Sequence, residues 1–393
     1  MIDFSEKHII IRQIAEKVAK EKILPRAKEI DETGAFPWDI VEVYKKQGFL
    51  NLMLPEKFGG LDGDITSLCL VIEELAKVSG ACSLILLAHC VGLMPVMIAA
   101  NEEQKEYLYS KISHPEETHL FAFCLTEAEA GSDASHIRTR VTKEGNYYYL
   151  NGKKTMITNG AVASVYTVFA TSNPQLRTKG ISAFFVERDY PGVIIGKSEK
   201  KMGMNGSDIT EIIFDNVRLS KDNLLGKEGG GWDIAMSTLN LSRPAVGAQA
   251  VGIAQGALDF AAEYAWKRVQ FGQKLADFQG IQFMIADMAT QVEAARALVY
   301  DAAQLLDMKV YERDKMSAIG VDKLSAMAKM YSADVAMKVT TDAVQILGGY
   351  GYTKEYPVER MMRDAKATQI YEGTNQIQRI VIARDIFRKF IRT

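Results

Sequence analysis

The chain has 393 residues, of which 48% are hydrophobic and 24% charged, and its formal net charge is −2. Values this ordinary exclude a disordered chain, and a near-neutral balance with no long run of Lys or Arg excludes a surface that tracks nucleic acid. The length allows two or three units, each with its own core.

The first predicted element is a helix within residues 1–24, where Ile10, Ile14 and Val18 recur at helical spacing with Glu6, Lys7, Glu16, Lys17 and Lys20 between them. Such interspersed charges fit neither a signal peptide nor a transit peptide, which makes a cytoplasmic protein the expectation. Helical patterns continue to residue 117, broken at Pro25, at 34–37 and at 55–63. Residues 81–100 contain no Asp, Glu, Lys or Arg. Ser83, His89, Gly92 and Pro95 interrupt that run and no basic cluster flanks it, so it reads as a helix buried in a bundle and no membrane span is expected. Cys69, Cys82, Cys90 and Cys124 lie in apolar stretches without C-x-x-C spacing, the pattern of buried free thiols in a reducing compartment.

From Leu120 the period changes to that of strands. Segments 147–150, 153–158 and 165–171 are separated by Asn151-Gly152 and Asn159-Gly160, which predict two tight hairpins. Further strands are predicted at 181–186, 193–195 and 211–219, giving a β unit over 118–228. After Gly229-Gly230-Gly231 the helical period returns in three long segments, 232–267, 279–310 and 315–346, and again at 377–391. Helices this long pack as bundles, so 229–393 forms a third, helical unit. The expected class is α+β with several domains.

Motifs for a Rossmann dinucleotide site, a P-loop and a hydrolase elbow are absent, and the five histidines form no H-E-x-x-H or Cys/His cluster, so no metal is expected. Four polar stretches remain. Residues 125–133 run from Leu125-Thr126 to Gly131-Ser132-Asp133, ending in small residues whose N–H groups could face a phosphate or ring edge. An ordinary loop reads the same way. Arg268-Val269-Gln270-Phe271-Gly272 breaks a helical pattern with a cation, an amide and an aromatic; a solvated Arg at a helix end is the alternative. Residues 345–352, with Gln345, Gly348 and Gly349, close a helix with more glycines than a cap needs. Tyr371-Glu372-Gly373-Thr374-Asn375-Gln376 presents one carboxylate beside a glycine that allows close approach of a ligand, although a solvated Glu on a turn has the same local sequence.

Taken with Phe123-Cys124, Ile157-Thr158-Asn159-Gly160 and Met362-Arg363-Asp364-Ala365, these stretches occur in an order that resembles the acyl-CoA dehydrogenase family over nearly the whole chain. The resemblance implies an all-α N-terminal domain, a central β-barrel or sandwich domain, a C-terminal four-helix bundle, bound FAD, and a homotetramer with FAD across a subunit boundary. It implies Glu372 as the base that removes the Cα proton of an acyl-CoA while a hydride leaves Cβ, with electrons passed to electron-transfer flavoprotein. Phe123, Leu125, Thr126, Gly131, Ser132, Met156 and Thr158 would line the flavin side. Arg268, Gln270, Phe271, Gln345, Gly348 and Gly349 would hold the adenosine and pyrophosphate of a neighbour's FAD, and Thr374 with Gln376 would contact the FAD of their own site. Ser132, Asn240 and Arg243 would meet CoA; Leu84, Leu87, Ala88, Val91, Val246 and Tyr371 would wall the acyl tail, and Gly373 would leave room for the thioester.

The chain departs from the family pattern in four places. It has Ala128-Glu129 where Pro-Gly is usual, Met156 where many members place Trp, Asn240 for a common Asp, and Ser242 where some relatives carry the base. The tail wall is aliphatic apart from Tyr371 and holds no Arg, which favours a short, branched or cyclic uncharged acyl group over a dicarboxylate. Alternatives on the same scaffold are an enoyl-CoA reductase, an oxidase, and a non-catalytic acyl-CoA or FAD binding protein.

Overall fold

The computed structural model describes residues 4–311 and 321–391. The first three residues of the predicted N-terminal helix and 315–320 of the predicted 315–346 helix lie outside this range.

Six α-helices come first: α1 Glu6–Val18, α2 Ala27–Thr33, α3 Trp38–Lys46, α4 Ile65–Ala76, α5 Gly80–Ala99 and α6 Glu102–Ile112. Their starts follow local chemistry. Asp64 accepts from Ser67 N at 2.7 Å and Ser79 from Cys82 N at 3.2 Å, while Asn101 and Gln104 form a reciprocal capping box. The uncharged helix α5 is enclosed: 89% of its most apolar 18-residue window is buried inside the protein. All four cysteines are buried and free.

The middle of the chain forms one eight-stranded sheet from β1 Phe121–Cys124, β2 Arg140–Glu144, β3 Tyr147–Thr158, β4 Val165–Thr171, β5 Ile181–Glu187, β6 Val193–Ser198, β7 Ile209–Ser220 and β8 Leu224–Leu225. The order is β6-β7-β3-β2-β4-β5-β8, with β1 parallel to β4. Alternation along β4 sends Val165 and Phe169 to the core shared with the helices, and Tyr166, Val168 and Ala170 to a second core inside the sheet. The sheet curls over that second core. Tyr148 on β3 reaches Phe184 on β5, with ring centroids 5.2 Å apart, although two strands separate them.

Neither predicted Asn-Gly hairpin forms. Asn151-Gly152 lies inside the unbroken strand β3, where a register shift against β7 marks a bulge. Gly152 has φ +147°, and a Cβ there would stand 2.6 Å from Thr139 Cα, so close backbone approach rather than a turn accounts for the glycine. Asn159 does turn the chain, with φ +60°, but β3 and β4 are not neighbours. Its buried side chain donates to Ile85 O at 2.9 Å and so ties the sheet to α5.

The last third contains α7 Gly231–Lys267, a two-stranded ribbon β9 Val269–Gln270 and β10 Gln273–Lys274, then α8 Gln279–Tyr311, α9 Val321–Leu347, α10 Val358–Thr368 and α11 Asn375–Ile391. Helices α7, α8, α9 and α11 form the bundle, and α7 also packs against α4 and α5.

Candidate active site

Glu372 lies between α10 and α11, where the chain reverses through a short irregular loop. Its φ is +52° and that of Gly373 is +88°, two consecutive left-handed residues of which only the second has no Cβ. An L-residue in that region costs on the order of 1 kcal/mol or more and persists only where its surroundings hold it. Here two donors supply the hold. Gln378 Nε2 donates to the carbonyls of Glu372 (3.1 Å) and Gly373 (3.0 Å), and Lys329 Nζ from α9 donates to Gly373 O (2.8 Å) and Asn375 Oδ1 (3.0 Å). Asn375 is anchored in turn by donating to Met330 O and Asp334 Oδ1. Thr374, whose hydroxyl accepts from Ile377 N at 3.3 Å, caps α11, and Gln376 is exposed.

The Glu372 side chain is half-buried and accepts a hydrogen bond from Ser242 on α7 at Oε2. Burial pushes its carboxyl above the usual range, while the Ser242 hydroxyl and the cations of Lys329 and Arg243 pull part of the way back. Lys329 is fully buried, and burial lowers its ammonium to about 7, helped by Arg243 and opposed by Glu372 and Asp334. Arg243 is also buried, with Nη1 donating to Asn240 Oδ1 and with no partner for Nε among the described residues; Asn240 donates to Asp322 Oδ1 at 2.7 Å. A buried guanidinium with an unsatisfied N–H is costly unless an anionic ligand completes it.

The predicted acyl wall comes together around α5. Leu84, Ala88 and Val91 share one helical face, and each keeps some exposure. Leu87 has none and packs into the core, as does Val246 on α7. Tyr371 donates its hydroxyl to Gln249 Oε1, and Gln249 Nε2 donates to Gly80 O (3.1 Å) and Ser83 Oγ (2.9 Å). The wall therefore has a buried polar end that the aliphatic reading did not include.

Among the residues expected to line the flavin, the loop after β1 is fastened to β3. Lys154 Nζ donates to Leu125 O (2.9 Å) and Glu127 Oε1 (2.7 Å), and Thr155 N donates to Thr126 O (2.9 Å). This sets Leu125 and Thr126 beside Met156 and Thr158; Met156 has φ +57° at the second bulge and is 58% exposed. Phe123 is half-buried and packs against Phe169, the ring centroids 4.9 Å apart and the planes tilted by 54°. Ala128-Glu129 forms a tight turn closed by Glu127 and Ala130, and Gly131 and Ser132 follow on the surface.

The remaining stretches meet at the far end of the bundle. Phe271 and Gly272, with φ +53° and +78°, form the two-residue turn between β9 and β10, which leaves the Phe271 ring 95% exposed. Arg268 stacks over Tyr350 at 5.4 Å, which places it beside Gly348 and Gly349, where an added Cβ would meet nothing within 4 Å. Gln345 and Gln270 are exposed on the same end. An open cradle with a cation, amides and a bare aromatic fits an adenosine pyrophosphate, and an exposed apolar side chain beside backbone amides fits the flavin ring.

Sequence reasoning missed Lys329, Gln249, Gln378 and the Ser242 contact. A signal was present for two of them, since Gln249 is a polar residue among apolar neighbours on its helical face and Lys329 is a charged residue between Ala326 and Ala333 on its own.

Family profiles match three consecutive parts of the chain: "Acyl-CoA dehydrogenase, N-terminal domain" over residues 5–115, "middle domain" over 122–217 and "C-terminal domain" over 229–387. An acyl-CoA dehydrogenase of Bacillus subtilis is 45% identical over 381 residues, 97% of this chain and 98% of that protein. A cyclohex-1-ene-1-carbonyl-CoA dehydrogenase of Geobacter metallireducens is 45% identical over 384 residues, 98% and 99% of the two chains. The solved butyryl-CoA dehydrogenase of Megasphaera elsdenii superposes with a TM-score of 0.92 at 41% identity, covering 99% of this chain and 100% of that one.

Proposed function

The chain belongs to the acyl-CoA dehydrogenase family and is an FAD-dependent oxidoreductase; from that premise we propose that it desaturates a short, branched or cyclic uncharged acyl-CoA to the 2-enoyl-CoA and passes the electrons to electron-transfer flavoprotein. FAD, when bound, supplies the acceptor for the hydride that leaves Cβ. The chain's own task is to take the Cα proton and stabilise the enolate.

One observation carries this reading. Glu372 combines a partly exposed position in the loop, a carboxyl whose proton affinity is raised by burial, and a backbone held from two sides. A Cα proton next to a thioester is weakly acidic, so a base of ordinary carboxylate strength is a poor match and a raised one a better match. Glu372 N–H has no acceptor among the described residues, which leaves it free to receive the thioester carbonyl oxygen as charge develops there. Arg243, with its open Nε, and Asn240 would bind the CoA portion, with Ser132 approaching from the loop after β1. Gly373 gives the thioester space.

Leu125, Thr126, Met156 and Thr158 would pack on the flavin, with Phe123 behind them and Gly131 leaving room for its phosphates. Thr374 and Gln376 would meet the same cofactor from the α11 side. Arg268, Gln270, Phe271, Gln345, Gly348 and Gly349 would serve the FAD of a second copy in a homotetramer; the fully open Phe271 ring supports this.

For the acyl tail, Leu84, Ala88 and Val91 offer aliphatic surface, Leu87 and Val246 back them from the core, and Gln249 with Tyr371 closes the end without a cation. An uncharged, compact tail fits such a pocket, and a relative named for a cyclic acyl-CoA supports it. The test is flavin bleaching with butyryl-, branched, cyclic and glutaryl-CoA. Strong preference for glutaryl-CoA would overturn the tail assignment; reoxidation by oxygen as fast as by electron-transfer flavoprotein would overturn the acceptor.

A further inference from the structure

With Glu372 as the base, as proposed above, the question is what keeps its left-handed backbone and its ionised side chain in place. Lys329 lies on α9 in Ala326-Met327-Ala328-Lys329-Met330-Tyr331, where it alone is charged, and it is fully buried. An apolar residue would fill that position without the several kcal/mol that burying an ammonium costs. No carboxylate is hydrogen-bonded to Lys329 among the described residues; its partners are the Gly373 carbonyl and the Asn375 side-chain oxygen, which flank the base on its C-terminal side.

We infer that Lys329 is a positioning residue for the reaction: it clamps the Glu372-Gly373 turn through the Gly373 carbonyl and Asn375, and its ammonium stands as counter-charge to the ionised Glu372. Gln378 holds the Glu372 and Gly373 carbonyls, sharing only the second with Lys329, and brings no charge, so the two donors are not equivalent. The groups that face Glu372 are Ser242 and Arg243 from α7, Lys329 from α9 and its neighbour Tyr371; those that face Lys329 are Glu372, Arg243 and Asp334. Arg243 is already directed toward Asn240 and the CoA side, which leaves Lys329 as the cation tied to the loop itself. The sign follows. Without the Lys329 charge Glu372 binds its proton more tightly, so the acid limb of kcat/KM moves to higher pH.

The test uses FAD-loaded Lys329→Met and Asp334→Asn beside Glu372→Gln, with the acyl-CoA that bleaches the wild-type flavin best. Lys329→Met is expected to lower kcat by roughly tenfold or more with KM changed by less than about threefold, and to raise the acid limb by about one pH unit. Asp334→Asn removes a carboxylate that keeps Lys329 charged while leaving Lys329 in place, so it is expected to raise the limb by less, in the same direction. Melting temperatures accompany both, because loss of packing alone lowers the melting temperature without moving the limb. An unmoved limb in both variants overturns the inference; if Lys329→Met does not fold, an unmoved limb in Asp334→Asn does so alone. Full turnover by Glu372→Gln removes the base assignment and this inference with it. An inactive Glu372→Gln together with wild-type kcat and acid limb in the Lys329 and Asp334 variants removes only the role of Lys329.

Discussion

Ser242 donates its hydroxyl to Glu372 Oε2 across 130 positions of sequence, joining the middle of α7 to the loop between α10 and α11. The bond stabilises the ionised carboxylate and opposes the rise that burial causes. A hydrogen bond to a charged group is worth about 1.5–3 kcal/mol, or about one to two pH units if it acts on one protonation state alone. Ser242→Ala is therefore expected to shift the acid limb of kcat/KM up by about one unit, with kcat at the plateau within about fivefold of wild type. A pH profile that does not move would place the tuning elsewhere.

Glu372→Gln keeps the shape of the side chain and removes the proposed base. It is expected to retain bound yellow FAD and to lose at least about 10²-fold in turnover, the low end of general-base contributions. Absorbance of the purified variant and rapid-mixing reduction with an acyl-CoA check both parts.

Gln249→Ala removes the acceptor for the Tyr371 hydroxyl and empties the polar end of the proposed acyl wall. A buried hydroxyl without a partner costs about 1–3 kcal/mol, so the variant is expected to melt lower. The freed space is expected to move the kcat/KM ratio of hexanoyl- to butyryl-CoA upward by about tenfold. A constant ratio would separate Gln249 from chain-length selection.

Phe271 makes little contact within its own chain, so Phe271→Ala leaves little for the monomer fold to lose. If its ring belongs to a subunit boundary shared with FAD, the variant dissociates more readily on dilution and retains less flavin. Sedimentation and the FAD-to-protein ratio read these two effects, and unchanged values for both would rule out that role.

Asp364 is fully buried on α10, accepts from Met204 N, and is pushed up to about 6 by burial despite that bond and Arg360. Its folded value exceeds the unfolded one, so the stability it contributes at low pH is lost as pH rises from about 4 to about 6. Asp364→Asn does not titrate. The stability of the variant relative to wild type is expected to improve across that window by up to roughly 3 kcal/mol, and a flat difference in melting temperature from pH 4 to 7 would count against it.

Local patterns carried the architecture. The predicted helix over 232–267 is observed as Gly231–Lys267, and that over 377–391 as Asn375–Ile391, because a 3.6-residue period is written into neighbouring side chains. The same local logic misread Asn151-Gly152. Two left-handed-tolerant residues suit a tight turn and a bulge equally well, and the choice rested on Thr139 lying against Gly152, which no window around residue 151 contains.

By itself the sequence determined the succession of helices, sheet and helices, the motif stretches around Thr126, Arg268, Gly348 and Glu372, and through them the family. Only the tertiary structure decided what those residues meet. Ser242 and Arg243 from α7 and Lys329 from α9 surround Glu372, and Gln249, further along α7, joins Tyr371 to Ser83 on α5. Secondary structure follows from interactions within a few residues, whereas the proton affinity of a carboxylate depends on burial and charges set by chain closure over more than a hundred positions.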